Sequence, residues 1–302
     1  MEAPPIRVQD LYVRYTAKNG KSVDAVRNLS FEVQPGEIVG FLGPNGAGKS
    51  STIKVLMGFV TELKGSAEIF GEPVGSLVAK AQTGYLPEVA MYYPFLTPME
   101  TLRLYGELQG LTGKALKTES EHLLELVGLG QAMTKQNRTL SKGMLQRVGI
   151  AQSLLGNPKL LILDEVTSGL DPVGRRELRD VLRARQAEGT TLFFSSHELS
   201  EVDMLCDRIL LVNKGELIDE RDMTGLKEHL RNYVLTYSGS ATMLGLTDDW
   251  REEDSFKVAR FPSKESLLEG ISRIHQSSGA ILDVVAEEGS LEDYFVEAVQ
   301  AA

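Results

Sequence analysis

The chain has 302 residues, 42% hydrophobic and 25% charged, with a single cysteine and a formal net charge of −10. Such a composition can fill a large core, in one large domain or in a main domain with an added module. It rules out an internal disulfide, offers no apolar run of the roughly 18 residues a membrane span needs, and lacks the basic surplus of a nucleic-acid binder. The opening Met1-Glu2-Ala3-Pro4-Pro5 has no basic head and no apolar middle, so no secretory signal is expected. The acidity is uneven: residues 223–302 hold 7 Lys and Arg against 14 Asp and Glu, and residues 1–222 hold 25 against 28.

Residues 6–15 alternate loosely and predict an edge strand ending near Tyr15, with a hairpin turn at 18–22 and a second strand at 29–33. These strands suggest a small antiparallel layer beside a main sheet. Tyr15 suits either an ordinary strand position or stacking on a purine face. Glu37 to Leu42 is a short apolar run that predicts a buried strand. It leads directly into Gly43-Pro44-Asn45-Gly46-Ala47-Gly48-Lys49-Ser50, which fits the spacing G-x-x-x-x-G-K-[ST], and then into helical pattern from Ser51. Glycines there let successive backbone N–H groups turn inward onto phosphate oxygens, and the helix start adds partial positive charge. Lys49 can reach the outer phosphates, and the Ser50 hydroxyl can bind Mg²⁺.

Ser66 to Phe70 predicts a further strand, and Ala81 to Glu88 runs into a loop punctuated by Pro94 and Pro98. Residues 99–128 are helical in pattern, with a break near Gly110 and Gly113. This predicts a helical insertion within an α/β domain, spanning about residues 89–157, with His122 on a solvated helix face. Ser141 is placed to cap a helix running to Asn157-Pro158. Leu160 to Leu163 is a continuous apolar run ending in Asp164-Glu165. Two carboxylates at the exit of a buried strand, in a chain with a phosphate loop, can divide two tasks: one supports Mg²⁺ and the other polarises water. Ser168 to Pro172 predicts a turn before a charged helix at 175–186. Thr190 to Ser195 predicts another parallel strand, with His197 just beyond its tip, where an imidazole can contact a transferring phosphate. Strands at 209–212 and 216–218 flank a hairpin turn at Asn213-Lys214-Gly215.

Beyond residue 223 the pattern changes to a small α+β module. Strands are predicted at 233–237, 256–260 and 280–285, and helices at 264–276 and 291–299. Trp250, His229 and His275 read as packing or surface residues, and the module carries no catalytic constellation.

The phosphate loop, Leu140-Ser141-Lys142-Gly143-Met144, Leu161-Ile162-Leu163-Asp164-Glu165, Ser168-Gly169-Leu170-Asp171 and Ser195-Ser196-His197 occur in that order, over residues 5–222. The ordered set resembles the ATP-binding subunit of ABC transporters. The resemblance implies an α/β fold with a P-loop (RecA-like) core, an antiparallel β layer and a helical insertion, followed by the accessory module at 223–302. It implies that Tyr15 stacks on adenine, that Gly43 to Ser51 hold the triphosphate, that Asp164 supports Mg²⁺, that Glu165 is the general base and that His197 attends the γ-phosphate. Ser141 and Gly143 would meet the nucleotide of a second subunit, and Ser168 to Asp171 would pass between the two. Glu88 stands where the family carries a Mg²⁺-sensing glutamine, and Lys142 stands where it commonly carries glycine. Ser290 to Phe295 is similar to the tail of ATPases serving ABC-2-type exporters. The implied function is ATP hydrolysis that drives membrane-spanning permease subunits from the cytoplasmic membrane face, with a homodimer closing around two ATP molecules and no nucleic acid as partner. A soluble ABC ATPase on a nucleic-acid or ribosomal partner is the alternative. A GTPase is a further rival, because Asp171 to Gly174 fits D-x-x-G and Asn213 to Glu216 nearly spells N-K-x-D.

Overall fold

The computed structural model describes residues 3–16, 20–60, 63–89, 91–196, 198–253, 255–287 and 289–301. The chain divides into two compact units, 1–220 and 221–301. The larger unit runs β1 (Ile6–Thr16), β2 (Ser22–Val33), β3 (Ile38–Leu42), α1 (Lys49–Leu56), β4 (Leu63–Ile69), β5 (Glu72–Pro73), α2 (Leu77–Ala81) and β6 (Thr83–Leu86). It continues through α3 (Pro98–Leu108), α4 (Gly113–Leu126), α5 (Lys142–Ser153), β7 (Leu160–Asp164), α6 (Pro172–Ala187), β8 (Thr191–Ser196), α7 (Leu199–Leu205), β9 (Arg208–Asn213) and β10 (Glu216–Asp222).

Two sheets form this unit. The antiparallel one has the order β2-β1-β4-β5, so β1 lies inside the sheet. The edge-strand expectation for residues 6–15 is therefore corrected: β1 alternates loosely because β2 and β4 pair on both sides of it, with register shifts on each. The turn expected at 18–22 falls partly outside the described residues. The second sheet has the order β10-β9-β3-β8-β7-β6, and β3, β8, β7, β6 and β9 run parallel. β3 and β7 are buried along their whole length, which explains their unbroken apolar spelling. The two sheets share a core. Phe31 of β2 stacks on Phe193 of β8 with ring centroids 5.6 Å apart, and Phe41 of β3 lies 5.2 Å from Phe193.

The insertion is built from α3, α4 and α5. Thr97 and Glu100 form a reciprocal capping box, and Pro98 opens α3 with the φ a helix start needs. Gly110 and Gly113 both take left-handed φ, and the helical stretch 99–128 divides into α3 and α4 at the break expected there. Asn137 is buried and its amide donates to Tyr93 O and to Thr101 Oγ1, tying the loop after β6 to α3. The sequence pattern misses β6, α2 and α7. Each is short, and β6 sits at the sheet edge, where half-buried residues carry little apolar signal.

The smaller unit holds α8 (Met223–Leu230), β11 (Asn232–Ser238), β12 (Trp250–Glu252), β13 (Lys257–Phe261), α9 (Lys264–Gln276), β14 (Ala280–Glu287) and α10 (Leu291–Ala301). Its antiparallel sheet has the order β12-β13-β11-β14. Leu235, Tyr237, Phe261 and Ile274 centre its own core, with Trp250 packed against it. Gly270 of α9 is needed there, because a Cβ would stand 2.6 Å from Phe261 Cζ.

Phe193 is completely buried between two sheets, so Phe193→Ala is expected to lower unfolding free energy by about 3–5 kcal/mol. Denaturant unfolding of the full chain measures this, and a loss below about 1 kcal/mol would contradict the shared core.

Candidate functional site

The chemistry gathers at one edge of the parallel sheet. In parallel strands the C-terminal ends fall on the same side, and α/β ligand sites form there. β3 ends in the phosphate loop, β7 in Asp164, β8 in Ser195 and Ser196, and β6 two residues before Glu88. The strand register sets Leu42 opposite Ser196, and Asp164 opposite Ser195.

The loop itself is held by its own backbone. Gly46 and Gly48 take left-handed φ of 81° and 106°. A Cβ on Gly48 would stand 2.4 Å from Ala25 O, and one on Gly43 would stand 2.2 Å from Val212 O. Both glycines are therefore demanded by neighbours outside the loop, and Gly48 also by its left-handed φ. Ala47 N donates to Pro44 O (3.1 Å), and Gly215 N donates to Ala47 O (2.9 Å). The turn Asn213-Lys214-Gly215, which imitated a guanine-reading motif, thus joins β9 to β10 and braces the phosphate loop. Ser50 and Ser51 lie in the first turn of α1, and Thr52 N and Oγ1 both donate to Gly48 O. Asn45 stands exposed on the loop.

Lys49 is buried, and its ammonium donates to Gly43 O (2.6 Å) and Pro44 O (3.3 Å). Burial pulls its pKa down, while Glu165, Asp164 and Glu88 act to raise it. Asp164 is 5% exposed, and its pKa is raised mainly by that burial. Hydrogen bonds from the Ser195 and Ser50 hydroxyls oppose the rise, and the charges of Glu88 and Glu165 add to it. One lysine, three carboxylates and a loop hydroxyl therefore share a single electrostatic neighbourhood. Hydroxyl and carboxylate oxygens are hard donors that suit Mg²⁺, so Ser50, Asp164 and Glu88 fit that ion. Among the described residues no group of three or more His, Cys, Asp or Glu is arranged for a metal.

Glu165 follows β7 with φ 53°, a left-handed conformation unusual for a residue with a Cβ. Its N–H donates to Ser195 O (3.2 Å) and Ser195 Oγ (3.1 Å). Tyr15 lies near the end of β1, opposite Val23, and is 41% exposed. His197 lies outside the described residues.

Ser141 caps α5 by accepting from Met144 N (3.2 Å). The helix start packs on the turn after β7. A Cβ on Gly143 would stand 2.9 Å from Gly169 O. Lys142 lays its stem over Gly169, with methylenes 3.1 Å from that residue's Cβ position, and donates to Ser168 Oγ (3.3 Å). Lys142 is thus engaged with the Ser168 to Asp171 turn of its own chain. Asp171 caps α6 by accepting from Gly174 N (2.7 Å). Arg175 donates to Leu170 O (3.2 Å) and pairs with Glu198.

Sequence reasoning misses Ser195, Gln146 and Arg175. Gln146 donates to Val166 O (2.9 Å) and so holds the turn after β7 onto α5. Ser195 meets Asp164 31 residues away in sequence. No local spacing announces either contact, because each depends on two elements already being packed.

Comparison with known proteins decides the family. The ABC transporter family profile matches residues 26–168. An uncharacterized ABC transporter ATP-binding protein of Synechocystis is 36% identical over 281 residues, covering 91% of this chain and 78% of that protein. The chain belongs to the ABC transporter ATP-binding proteins. The bacitracin transport ATP-binding protein of Bacillus licheniformis is 35% identical over 314 residues, covering 97% of each. Among solved structures, a dimeric post-hydrolysis ATP-binding cassette bound to ADP and Pi superposes with a TM-score of 0.67. That match is 20% identical and covers 72% of this chain and 98% of the other, so it supports the shared fold. This ABC subunit is accordingly an ATPase with a P-loop α/β core. Among the described residues no helix is long and apolar enough to cross a membrane.

Gly48→Ala in this ABC ATPase places a Cβ against Ala25 O and in left-handed φ. A strain of about 1–3 kcal/mol, if relieved by moving the loop out of its phosphate-holding shape, corresponds to roughly a 5- to 150-fold loss of ATP affinity. Equilibrium titration with ATP checks this, with Gly20→Ala, at an open left-handed glycine, as the control for strain away from the loop.

Proposed function

We propose that this chain is the motor subunit of an ABC exporter, hydrolysing ATP within a head-to-tail pair of copies and driving membrane-spanning permeases from the cytoplasmic face. The observation that carries this reading is the convergence of Lys49, Ser50, Glu88, Asp164 and Glu165 at the carboxyl edge of one sheet.

In this reading the N–H groups of Gly43 to Ser51 and the Lys49 ammonium hold the β- and γ-phosphates of ATP. Tyr15 stacks on the adenine ring. Ser50, Asp164 and Glu88 would hold Mg²⁺, which would supply positive charge against the phosphates. Glu165 takes the proton of the attacking water, and His197 steadies the γ-phosphate. The left-handed backbone at Glu165 aims this carboxylate away from the line of β7.

Ser141 and Gly143 supply the second half of the site. Their helix start would point its N–H groups at the γ-phosphate bound by the other copy. Two copies then enclose two ATP molecules in an isologous C₂ pair. The γ-phosphate adds contacts available only in the closed pair, so ATP favours closure and hydrolysis releases it. The dimeric cassette with the same fold supports this arrangement. The insertion of α3, α4 and α5 would carry the motion to the permeases. The bacitracin transport relative supports a transport role, and export rather than import is supported by the resemblance of the Ser290 to Phe295 tail to ATPases serving exporters.

Glu165→Gln is expected to cut hydrolysis by at least roughly a hundredfold while keeping ATP binding, and to trap an ATP-loaded dimer of twice the monomer mass by light scattering. A variant that stays monomeric with ATP would count against the paired site. Lys49→Ala is expected to abolish turnover, and normal turnover would remove the phosphate loop from the mechanism. Glu88→Gln should keep ATP binding and change the hydrolysis rate. Loss of ATP binding would contradict the place given to Glu88.

A further inference from the structure

We propose that Ser195 is a positioning residue that holds the Asp164–Glu165 pair in working geometry, an inference that rests on the roles proposed above for those two acids. Ser195 has no exposed surface. It lies on β8 directly opposite Asp164 of β7, with β3 on its other side. Its hydroxyl has one proton to give and lone pairs to receive with, and both capacities are used. Oγ donates to Asp164 Oδ1 at 2.5 Å, a short charge-assisted bond of the strong kind. The same Oγ accepts from Glu165 N at 3.1 Å, and Ser195 O accepts from that N–H at 3.2 Å.

Two consequences follow for the acids. Asp164 accepts from the Ser195 hydroxyl on Oδ1, a bond from the neighbouring strand that fixes its rotation, while the Ser50 hydroxyl also bonds to it from the phosphate loop. Glu165 has its amide pinned by two acceptors while its φ is 53°. A non-glycine residue stays in that region only when surrounding bonds overdetermine it. Ser195 supplies those bonds. The direction in which the Glu165 side chain leaves the strand is therefore set from the neighbouring strand. One buried hydroxyl thus orients a metal-holding carboxylate and a water-activating one together. Groups that orient metal ligands in this way typically matter by about 10–100-fold in metal affinity or activity.

The test compares Ser195→Ala, Ser195→Thr and Glu165→Gln in the full-length chain. ATP binding is measured in EDTA and in Mg²⁺, and hydrolysis is followed across a Mg²⁺ titration. Ser195→Ala is expected to bind ATP in EDTA within about twofold of wild type and to lose about tenfold in kcat. It should also need about tenfold more Mg²⁺ for half-maximal rate. In the Glu165→Gln background, where hydrolysis does not interfere, adding Ser195→Ala should shrink the gain in ATP affinity from Mg²⁺ by about tenfold. Ser195→Thr, which keeps the hydroxyl, should recover most of the Mg²⁺ response.

Wild-type Mg²⁺ dependence in Ser195→Ala would overturn the inference. So would an equal loss of ATP binding in EDTA and in Mg²⁺, which would make Ser195 a packing residue. If Ser195→Ala does not fold, Ser195→Cys, of nearly the same volume and only a weak donor, carries the same expectation and the same refutation. Glu165→Gln separates this idea from the site reading beneath it. Intact turnover in Glu165→Gln removes the role of Glu165 itself. Lost turnover there with an unaffected Ser195→Ala removes only the role of Ser195.

Discussion

The parallel alignment of β3, β8 and β7 is the constraint on which the site depends. Those strands are buried along their whole length, with apolar side chains except at Thr191 and at the tips in Asp164, Ser195 and Ser196, so their hydrogen-bond ladder is sealed from water and cannot slip cheaply. A slip of one residue would turn Asp164 and Ser195 to opposite faces. With the register kept, the phosphate loop, the two acids and the serine emerge side by side. The buried Lys49 ammonium is brought beside three carboxylates that offset part of the cost of burying it, while Glu88 and Glu165 oppose the charge on Asp164. The opposing shifts on Lys49 record this: burial lowers its pKa, and three carboxylates resist.

The loop that would hold phosphate is not free to relax. Its glycines are pressed by Ala25 O and Val212 O, and its middle is tied to the β9–β10 turn through Gly215. A preformed nest of N–H groups spares a ligand the cost of ordering it. The signature segment is braced in the same manner. Gly143 lets α5 approach Gly169, Lys142 covers that glycine, and Gln146 grips the turn from beneath. The helix cap and the turn after β7 therefore form one piece. Arg175 extends that piece towards Glu198, beside position 197.

Much of this was legible before any fold was known, and the reason is physical. The phosphate loop is a local object: strand, glycines, lysine and helix start are contiguous, so a linear reading finds them. The same holds for the Ser141 cap and for β7 ending in two acids. Elements whose existence depends on partners were harder. β1 reads as an edge strand because its alternation is imperfect, yet it is paired on both sides. β6 and α7 are too short to show a period. Lys142 reads as a positive charge that could touch phosphate or point to solvent, and the structure lays it along Gly169 and onto Ser168.

The sequence by itself determined the family, the order of the motifs and the kind of chemistry, because those reside in contiguous residue types and their spacing. Tertiary structure alone decided which distant residues complete that chemistry. Ser195 meets Asp164 only when β7 and β8 are zipped, Gly215 meets Ala47 only when the β9–β10 turn closes beside β3, and Phe193 joins two sheets only after both exist. Such contacts arise from the pairing of whole elements, which no short window of residues encodes.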